Sequence, residues 1–130
     1  MTIVVGYSAD PFGVAALEHG IAEAKLRGTT LRVINSTAGD AYVDARFADA
    51  GQVHDIEDRL AQCGVGYELS QPVGVDAAGE LLTEMQREDA ELLVIGIRHR
   101  NPVGKLLLGS VSQQLLLECQ KPVLAVKPEG

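Results

Sequence analysis

The chain is poor in aromatic residues, which make up 4% of its 130 residues and include no tryptophan. Proteins that bind single-stranded nucleic acid use aromatic side chains as stacking platforms, and nucleic-acid binders usually have a basic surface. Here 11 lysines and arginines stand against 18 aspartates and glutamates, so the formal net charge is −7. We therefore expect neither a nucleic acid nor an anionic membrane as a partner. A small anion held by a locally basic site stays open.

Cysteines and long apolar runs are also scarce. Cys63 and Cys119 form no CxxC pair, which favours reduced, structural thiols over a disulfide framework. No segment approaches the ~20 consecutive apolar residues that a membrane-spanning helix needs. The N-terminal MTIVVGY enters a strand pattern directly, without a basic leader or a small-residue cleavage site, so we expect no secretory signal.

Strand-like and helix-like segments alternate along the chain, and its hydrophobic content of 46% is sufficient for a core. Short apolar runs predict strands at residues 2–7, 29–36, 66–74, 91–96 and 122–127. This alternation predicts one parallel sheet with helices on both faces. Right-handed crossovers and short connections favour a single doubly wound, flavodoxin/Rossmann-like α/β sheet of five strands in the order 3-2-1-4-5. We expect one domain over residues 1–130.

Four helices are predicted between these strands. The first has Asp10 as its N-cap and Pro11 at its first position, and Gly28 ends it. The third is predicted over residues 76–89 and the fourth over residues 110–120. Apolar residues continue the first helix at Val14, Leu17, Ile21 and Ala24, and in the second helix Val53, Ile56, Leu60 and Cys63 share one face. In the third helix, Ala78, Leu81, Leu82 and Met85 are expected to face inward.

The predicted strand order places the third and fifth strands at the edges of the sheet. The third strand mixes polar with apolar residues, as an edge strand should, whereas the fifth, PVLAVK, is almost continuously apolar. A bare apolar edge favours pairing with another chain, so we expect a homodimer across a twofold axis. The alternative is that the C-terminal tail or a neighbouring helix covers this edge. The expected interface residues are Pro122, Val123, Leu124, Ala125 and Val126.

Ligands of open parallel sheets bind beyond the carboxyl ends of the strands, where the strand order reverses. In the predicted order this crevice lies between the first and fourth strands, which are followed by GYSADP and GIRHRNPVGKLLLGS. The second segment carries Arg98, Arg100 and Lys105, and after Gly109 a helix opens at Ser110. Free N–H groups at such a helix start favour phosphate. Two alternatives are that Ser-x-x-Gln is simply a capping box and that the cations are a solvated loop.

Familiar catalytic and nucleotide-binding motifs are absent. A P-loop would need glycine where His99 stands and serine or threonine where Leu106 stands. There is no G-x-G-x-x-G fingerprint and no G-x-S-x-G elbow, and the three histidines have no metal-binding spacing. Ser8 follows the first strand, but no base can be identified beside it. We therefore expect no enzyme, no catalytic residue and no metal site.

The C-terminal third carries the most specific motif of the chain. Gly96, position 99 and Gly109-Ser110 follow the spacing G-x2-G-x9-G-[ST], and a helix and PVLAVK come after them. VVGYSADPFGVAALEHG and VGVDAAGELL add matches near the first and third helices. Over essentially its full length the chain resembles the universal stress protein family. The resemblance implies a flavodoxin-like fold, a homodimer through the last strand, a cytoplasmic role in stress resistance and, in some members, binding of ATP or a related adenine nucleotide. It implies no general catalytic reaction, although slow ATP hydrolysis or autophosphorylation is known for some members.

The resemblance also implies a set of nucleotide-binding positions, and the chain departs from it at two of them. Binding members carry an aspartate after the first strand, where this chain has Ser8, and a glycine where it has His99. Ser36 falls where the backbone meets the adenine edge. The candidate nucleotide-binding residues are Tyr7, Ser8, Ser36, Gly96, Arg98, His99, Arg100, Lys105, Gly109, Ser110, Val111 and Ser112.

Three functional hypotheses follow. The first is a dimeric stress-response module that binds an adenine nucleotide, with no cofactor required and Mg²⁺ present only if a triphosphate is bound. The second is an interaction protein whose nucleotide site has been degraded by Ser8 and His99. The third, a weak phosphohydrolase, has no residue that could be named as its base.

Overall fold

The computed structural model describes residues 1–37, 47–97 and 109–128. Strands and helices alternate through these residues, which confirms the predicted α/β class. The elements are β1 (Thr2–Gly6), α1 (Pro11–Arg27), β2 (Thr30–Ile34), α2 (Ala50–Gln62), β3 (Tyr67–Ser70), α3 (Ala77–Met85), β4 (Ala90–Gly96), α4 (Ser110–Glu118) and β5 (Val123–Val126).

The five strands form one parallel sheet in the order β3-β2-β1-β4-β5, as predicted. The central strand β1 pairs with β2 on one side and with β4 on the other, so that Ile3 lies between Leu31 and Leu92. A central parallel strand is covered on both faces, which explains why β1 and β4 are nearly continuous runs of aliphatic residues.

The core lies on both faces of the sheet. On one face, α1 and α2 pack against the strands through Leu17, Ile21 and Leu60. On the other face, α3 and α4 do so through Leu81 and Leu115. Full burial of such a side chain contributes about 1.5–3 kcal/mol, so these two clusters hold the helices in place and fix where their N-termini lie.

The first helix begins and ends as predicted. The Asp10 side chain accepts a hydrogen bond from the Gly13 backbone N–H, and Pro11 takes the first helical position. Gly28 ends the helix in the left-handed conformation with φ 63°, which glycine adopts without the steric cost of a Cβ atom.

Of the four apolar residues that indicated α1 by their spacing, Val14 is 50% exposed and does not belong to the core. The buried stripe instead includes Gly13 and Gly20 beside the larger apolar residues. A Cβ atom on Gly20 would lie 2.4 Å from Cγ2 of Val5, so glycine is what allows the helix to approach the sheet closely. The spacing of the large apolar residues did not indicate the glycines on the buried face of α1, because a glycine carries no hydrophobic side chain. In α3, Leu82 is only half-buried, whereas the other predicted core residues of that helix are buried.

Several predicted boundaries are also corrected. The third strand ends at Ser70 rather than at residue 74, although Thr37 and Val73 still form an isolated parallel bridge. Helix α3 ends at Met85 rather than at residue 89, and α4 ends at Glu118 rather than at residue 120. The remaining strand limits shift by one or two residues, so that Tyr7, Ser36 and Pro122 lie just outside β1, β2 and β5.

The capping box that was considered for α4 is not formed. Gly109 is the N-cap residue and Ser110 is already the first helical residue, and no side chain among the described residues caps this helix. The first helical hydrogen bond runs from the Gln113 N–H to the Gly109 carbonyl at 2.9 Å. The backbone N–H groups before Gln113 are therefore left without a capping side chain.

Candidate functional site

A cavity of about 380 Å³ opens at the carboxyl ends of β1 and β4, where the strand order reverses. This volume is within the range of small-molecule pockets. Eight of the predicted nucleotide-binding residues line it: Tyr7, Ser8, Ser36, Gly96, Gly109, Ser110, Val111 and Ser112. The other four, Arg98, His99, Arg100 and Lys105, lie outside the described residues.

The turn between β1 and α1 forms one wall of the cavity. The Ser8 hydroxyl donates to Oδ1 of Asp10 at 2.7 Å, and the Gly13 N–H donates to the same oxygen at 2.9 Å. Gly13 must be glycine because a Cβ atom there would lie 1.7 Å from the Ser8 carbonyl oxygen. The sequence showed Asp10 only as a helix cap. The structure adds that Asp10 lines the cavity and that its carboxylate orients the Ser8 hydroxyl.

The end of β4 lies directly against the first turn of α1. A Cβ atom on Gly96 would lie 2.1 Å from the carbonyl oxygen of Phe12, so only glycine fits between the two backbones. The glycine that the family spacing singled out therefore has a packing role, since it brings the strand and helix that border the cavity into contact.

A buried amide holds the neighbouring wall. Asn35 is 1% exposed; its Nδ2 donates to the Tyr7 carbonyl at 3.0 Å. Its Oδ1 accepts from the Ala48 N–H at 2.8 Å and from Nε2 of Gln71 at 3.0 Å. Sequence reasoning missed Asn35, although a polar residue at the end of the apolar run TLRVI was a signal for it. Because these bonds join the segments after β1, β2 and β3, they fix the position of the adjoining Ser36.

Three helix N-termini open onto the cavity, and they differ in how they are capped. Asp10 caps α1, and Asp76 caps α3 by accepting from the Gly79 N–H at 2.9 Å. Helix α4 begins after Gly109 with no side-chain cap from residues 1–37, 47–97 or 109–128. Unpaired N–H groups and the positive end of the helix dipole attract anions. Within the described part of the chain, the start of α4 is therefore the end of the cavity suited to an anionic group.

Tyr7 adds a neutral phenol to the cavity lining. The pKa of the Tyr7 hydroxyl is raised above its ordinary value. Partial burial is the largest cause, and the negative charges of Asp10 and Asp55 add to it. Each of these causes disfavours the phenolate, so the side chain stays protonated at neutral pH and can donate a hydrogen bond.

The charges that the structure describes around the cavity are the carboxylates of Asp10 and Asp76. No group of three or more histidine, cysteine or acidic residues suited to a metal ion occurs among residues 1–37, 47–97 and 109–128. In the same ranges, no helix is long and apolar enough to cross a membrane. Cys63 and Cys119 are free thiols.

The sequence profile of the universal stress protein family matches residues 1–127. The chain belongs to the universal stress protein family. A universal stress protein of Mycolicibacterium smegmatis is 76% identical to it, over 98% of each chain. The solved universal stress protein from Archaeoglobus fulgidus superposes with a TM-score of 0.80 at 28% identity, covering 98% of each chain. A universal stress protein solved in complex with cAMP is 25% identical, with a TM-score of 0.68 and coverage of 98% of this chain and 96% of its own.

These similarities confirm the predicted family and the flavodoxin-like fold of this universal stress protein. The predicted nucleotide-binding set and the predicted dimer interface stay predictions, because the likenesses concern whole chains and not individual residues.

Proposed function

We propose that this universal stress protein is a small stress-response module that binds an adenine nucleotide of the ATP/AMP class in the crevice between β1 and β4. The observation that carries the proposal is the uncapped start of α4, which opens into a cavity of about 380 Å³. The complex of a 25% identical universal stress protein with cAMP supports it, because cAMP is itself an adenine nucleotide.

In the proposed arrangement the phosphate lies at the start of α4. The backbone N–H groups of Ser110, Val111 and Ser112 and the two serine hydroxyls are the donors for it, and Gly109 adds no side chain in their way. The nucleoside extends towards Tyr7, Ser8 and the backbone of Ser36 on the opposite wall. The proposal also assigns phosphate contacts to Arg98, His99, Arg100 and Lys105, which lie outside the described residues.

A homodimer through β5 is the second part of the proposal. In the described chain, β5 pairs with β4 on one side only, and Val123, Leu124 and Ala125 are half-buried. Helix α4, directly before this strand, exposes 76% of Leu117. An apolar edge strand with one unpaired side is typical of a surface that another chain covers.

We propose binding rather than catalysis as the activity. Ser8 and Asp10 are hydrogen-bonded, but no histidine lines the described part of the cavity, so a Ser-His-Asp arrangement is not formed there. The two cavity carboxylates, Asp10 and Asp76, favour the competing function of an interaction protein without a nucleotide, because they repel phosphate.

Calorimetric titration of the purified protein with ATP, AMP and cAMP, each with and without Mg²⁺, tests the proposal. We expect saturable binding of at least one of these nucleotides, and Mg²⁺ should strengthen the binding of ATP only. No heat of binding at millimolar nucleotide, together with no nucleotide released on denaturing the purified protein, would leave the interaction protein as the better account.

A further inference from the structure

Asp10 has one carboxylate oxygen fully engaged and one available. Oδ1 accepts from the Ser8 hydroxyl at 2.7 Å and from the Gly13 N–H at 2.9 Å. Oδ2 has no hydrogen-bond or ion-pair partner in the part of the chain that the structure describes. The side chain is half-buried and lines the cavity. Two hydrogen bonds therefore hold the carboxylate through Oδ1 and leave Oδ2 as its unpaired acceptor.

The chemistry of this acceptor limits the ligand. An ionised carboxylate accepts hydrogen bonds and repels anions, so it needs a hydroxyl or N–H donor and not a phosphate. The start of α4, at the same cavity, favours an anion. A ligand that satisfies both ends carries a phosphate and, some distance from it, a neutral donor. A nucleoside monophosphate has this pattern, with its phosphate at α4 and its sugar hydroxyls as donors.

We infer that Asp10 is a specificity-determining residue that accepts a hydrogen bond from a sugar hydroxyl of the nucleotide, and that Ser8 is the residue that positions it. This inference rests on the proposed nucleotide binding. Ser8 cannot act as the donor to the ligand while its hydroxyl hydrogen is bonded to Asp10. Asp76 is a weaker candidate, because its side chain is exposed and water can satisfy the oxygen that does not cap α3.

The test is the ratio of the dissociation constants for 2′,3′-dideoxy-AMP and AMP, measured by calorimetry. The wild-type protein should prefer AMP by roughly 10- to 100-fold, the range for a hydrogen bond to a charged group. In Asp10→Asn, the amide oxygen keeps the bonds from Ser8 and Gly13, and asparagine caps helices as well as aspartate does. Its NH₂ group, however, replaces the charged acceptor with a neutral donor, to which the sugar hydroxyl can bind only by accepting, so the charge-assisted strength is lost and the ratio should fall severalfold.

The ratio separates the hydrogen bond from the general effect of charge. Removing a negative charge from the cavity strengthens the binding of both nucleotides, and this contribution cancels between them. Asp49→Asn is the matched control, because Asp49 is the N-cap of α2 and does not line the cavity. It should keep the wild-type ratio. Titrations with 2′-deoxy-AMP and 3′-deoxy-AMP then assign the hydroxyl that Asp10 accepts from.

The outcomes distinguish this inference from the proposed function. A wild-type protein that binds AMP and its dideoxy analogue equally well overturns the role of Asp10 before any variant is made. An unchanged ratio in Asp10→Asn, or an equal fall in Asp49→Asn, also overturns it. If the wild-type protein binds no nucleotide, the proposed function fails and the inference fails with it.

Discussion

Asn35 is the residue on which the geometry of one cavity wall depends. A single buried amide donates to the Tyr7 carbonyl and accepts from Ala48 and Gln71, so it joins segments that are distant in the sequence. Its carbonyl and amide groups are both needed, because one end of the side chain faces an acceptor and the other faces donors. At neutral pH no other side chain of the same size and shape provides both, because the aspartate carboxylate only accepts.

Asn35→Asp changes only the donor half of this arrangement. The new carboxylate still accepts from Ala48 and Gln71, but it faces the Tyr7 carbonyl without a proton and is buried at a position that is 1% exposed. We expect a loss of at least ~2 kcal/mol in the free energy of unfolding at pH 7, measured by urea denaturation.

The pH dependence of this loss provides the check on its cause. Burial and the facing carbonyl raise the folded-state pKa of the introduced carboxyl above its unfolded value, so the folded protein binds a proton more readily than the unfolded one. The destabilisation relative to wild type should therefore shrink as pH falls through the folded-state pKa. Gln86→Glu, the same change on an exposed side chain, should stay within about 0.5 kcal/mol of wild type. A loss that is independent of pH would contradict the assigned bond to Tyr7.

At the scale of an element, the start of α4 can be altered without disturbing the helix. Ser110 is the first helical residue, where proline is well tolerated, and Gly109 has φ −64° and ψ 158°, a conformation that a following proline favours. Ser110→Pro removes one N–H group from the proposed phosphate site. We expect the affinity for AMP to fall roughly tenfold or more, the value of one hydrogen bond to a charged group, with no loss of thermal stability.

Two further variants make this result specific to the N–H group. Ala50→Pro introduces the same residue at the first position of α2, whose N-cap Asp49 is also extended, and it should leave AMP affinity unchanged. Ser110→Ala removes the hydroxyl and keeps the N–H group, so it measures the share of the effect that belongs to the side chain. If Ser110→Pro and Ala50→Pro bind AMP equally well, the phosphate does not lie at α4.

At the scale of the whole molecule, the strand order could be predicted because the sequence pattern identifies the central strands. The aliphatic runs of β1 and β4 are typical of strands covered on both faces, and the crossover rule then leaves few arrangements. The place of the cavity followed from that order alone. Close packing could not be predicted in the same way: Gly20 contacts Val5 because glycine has no side chain, and hydropathy carries no signal for that.

The roles of the cavity residues were harder to predict than its location. Asp10 was predicted as the N-cap of the first helix, and the structure confirms this role. Its second role, as a carboxylate at the cavity, depends on Ser8 and Gly13 lying beside it there. That proximity exists only in the folded chain. At Ser110 the spacing of a capping box was present and allowed that alternative, but the box did not form.

The hydrogen bonds show which residues of β5 direct their backbone groups towards β4 and which direct them to the open edge. The Leu93 N–H donates to the Pro122 carbonyl at 3.1 Å, and the Ile97 N–H donates to the Val126 carbonyl at 2.8 Å. Alternate residues of a strand face the same neighbour, so Leu124 also faces β4, whereas the backbone groups of Val123 and Ala125 point away from it. The proposed dimer would use these outward groups.

Ala125→Pro removes an outward N–H group and leaves the bonds to β4 in place, because proline is tolerated on an edge strand when its nitrogen faces outward. We expect it to convert the dimer to a monomer, measured by light scattering coupled to size-exclusion chromatography, with unchanged circular dichroism. Ala125→Val adds a larger side chain but keeps the N–H group, so it should stay dimeric. A monomeric wild type, or an Ala125→Pro variant that stays dimeric, would show that β5 is not where two copies meet.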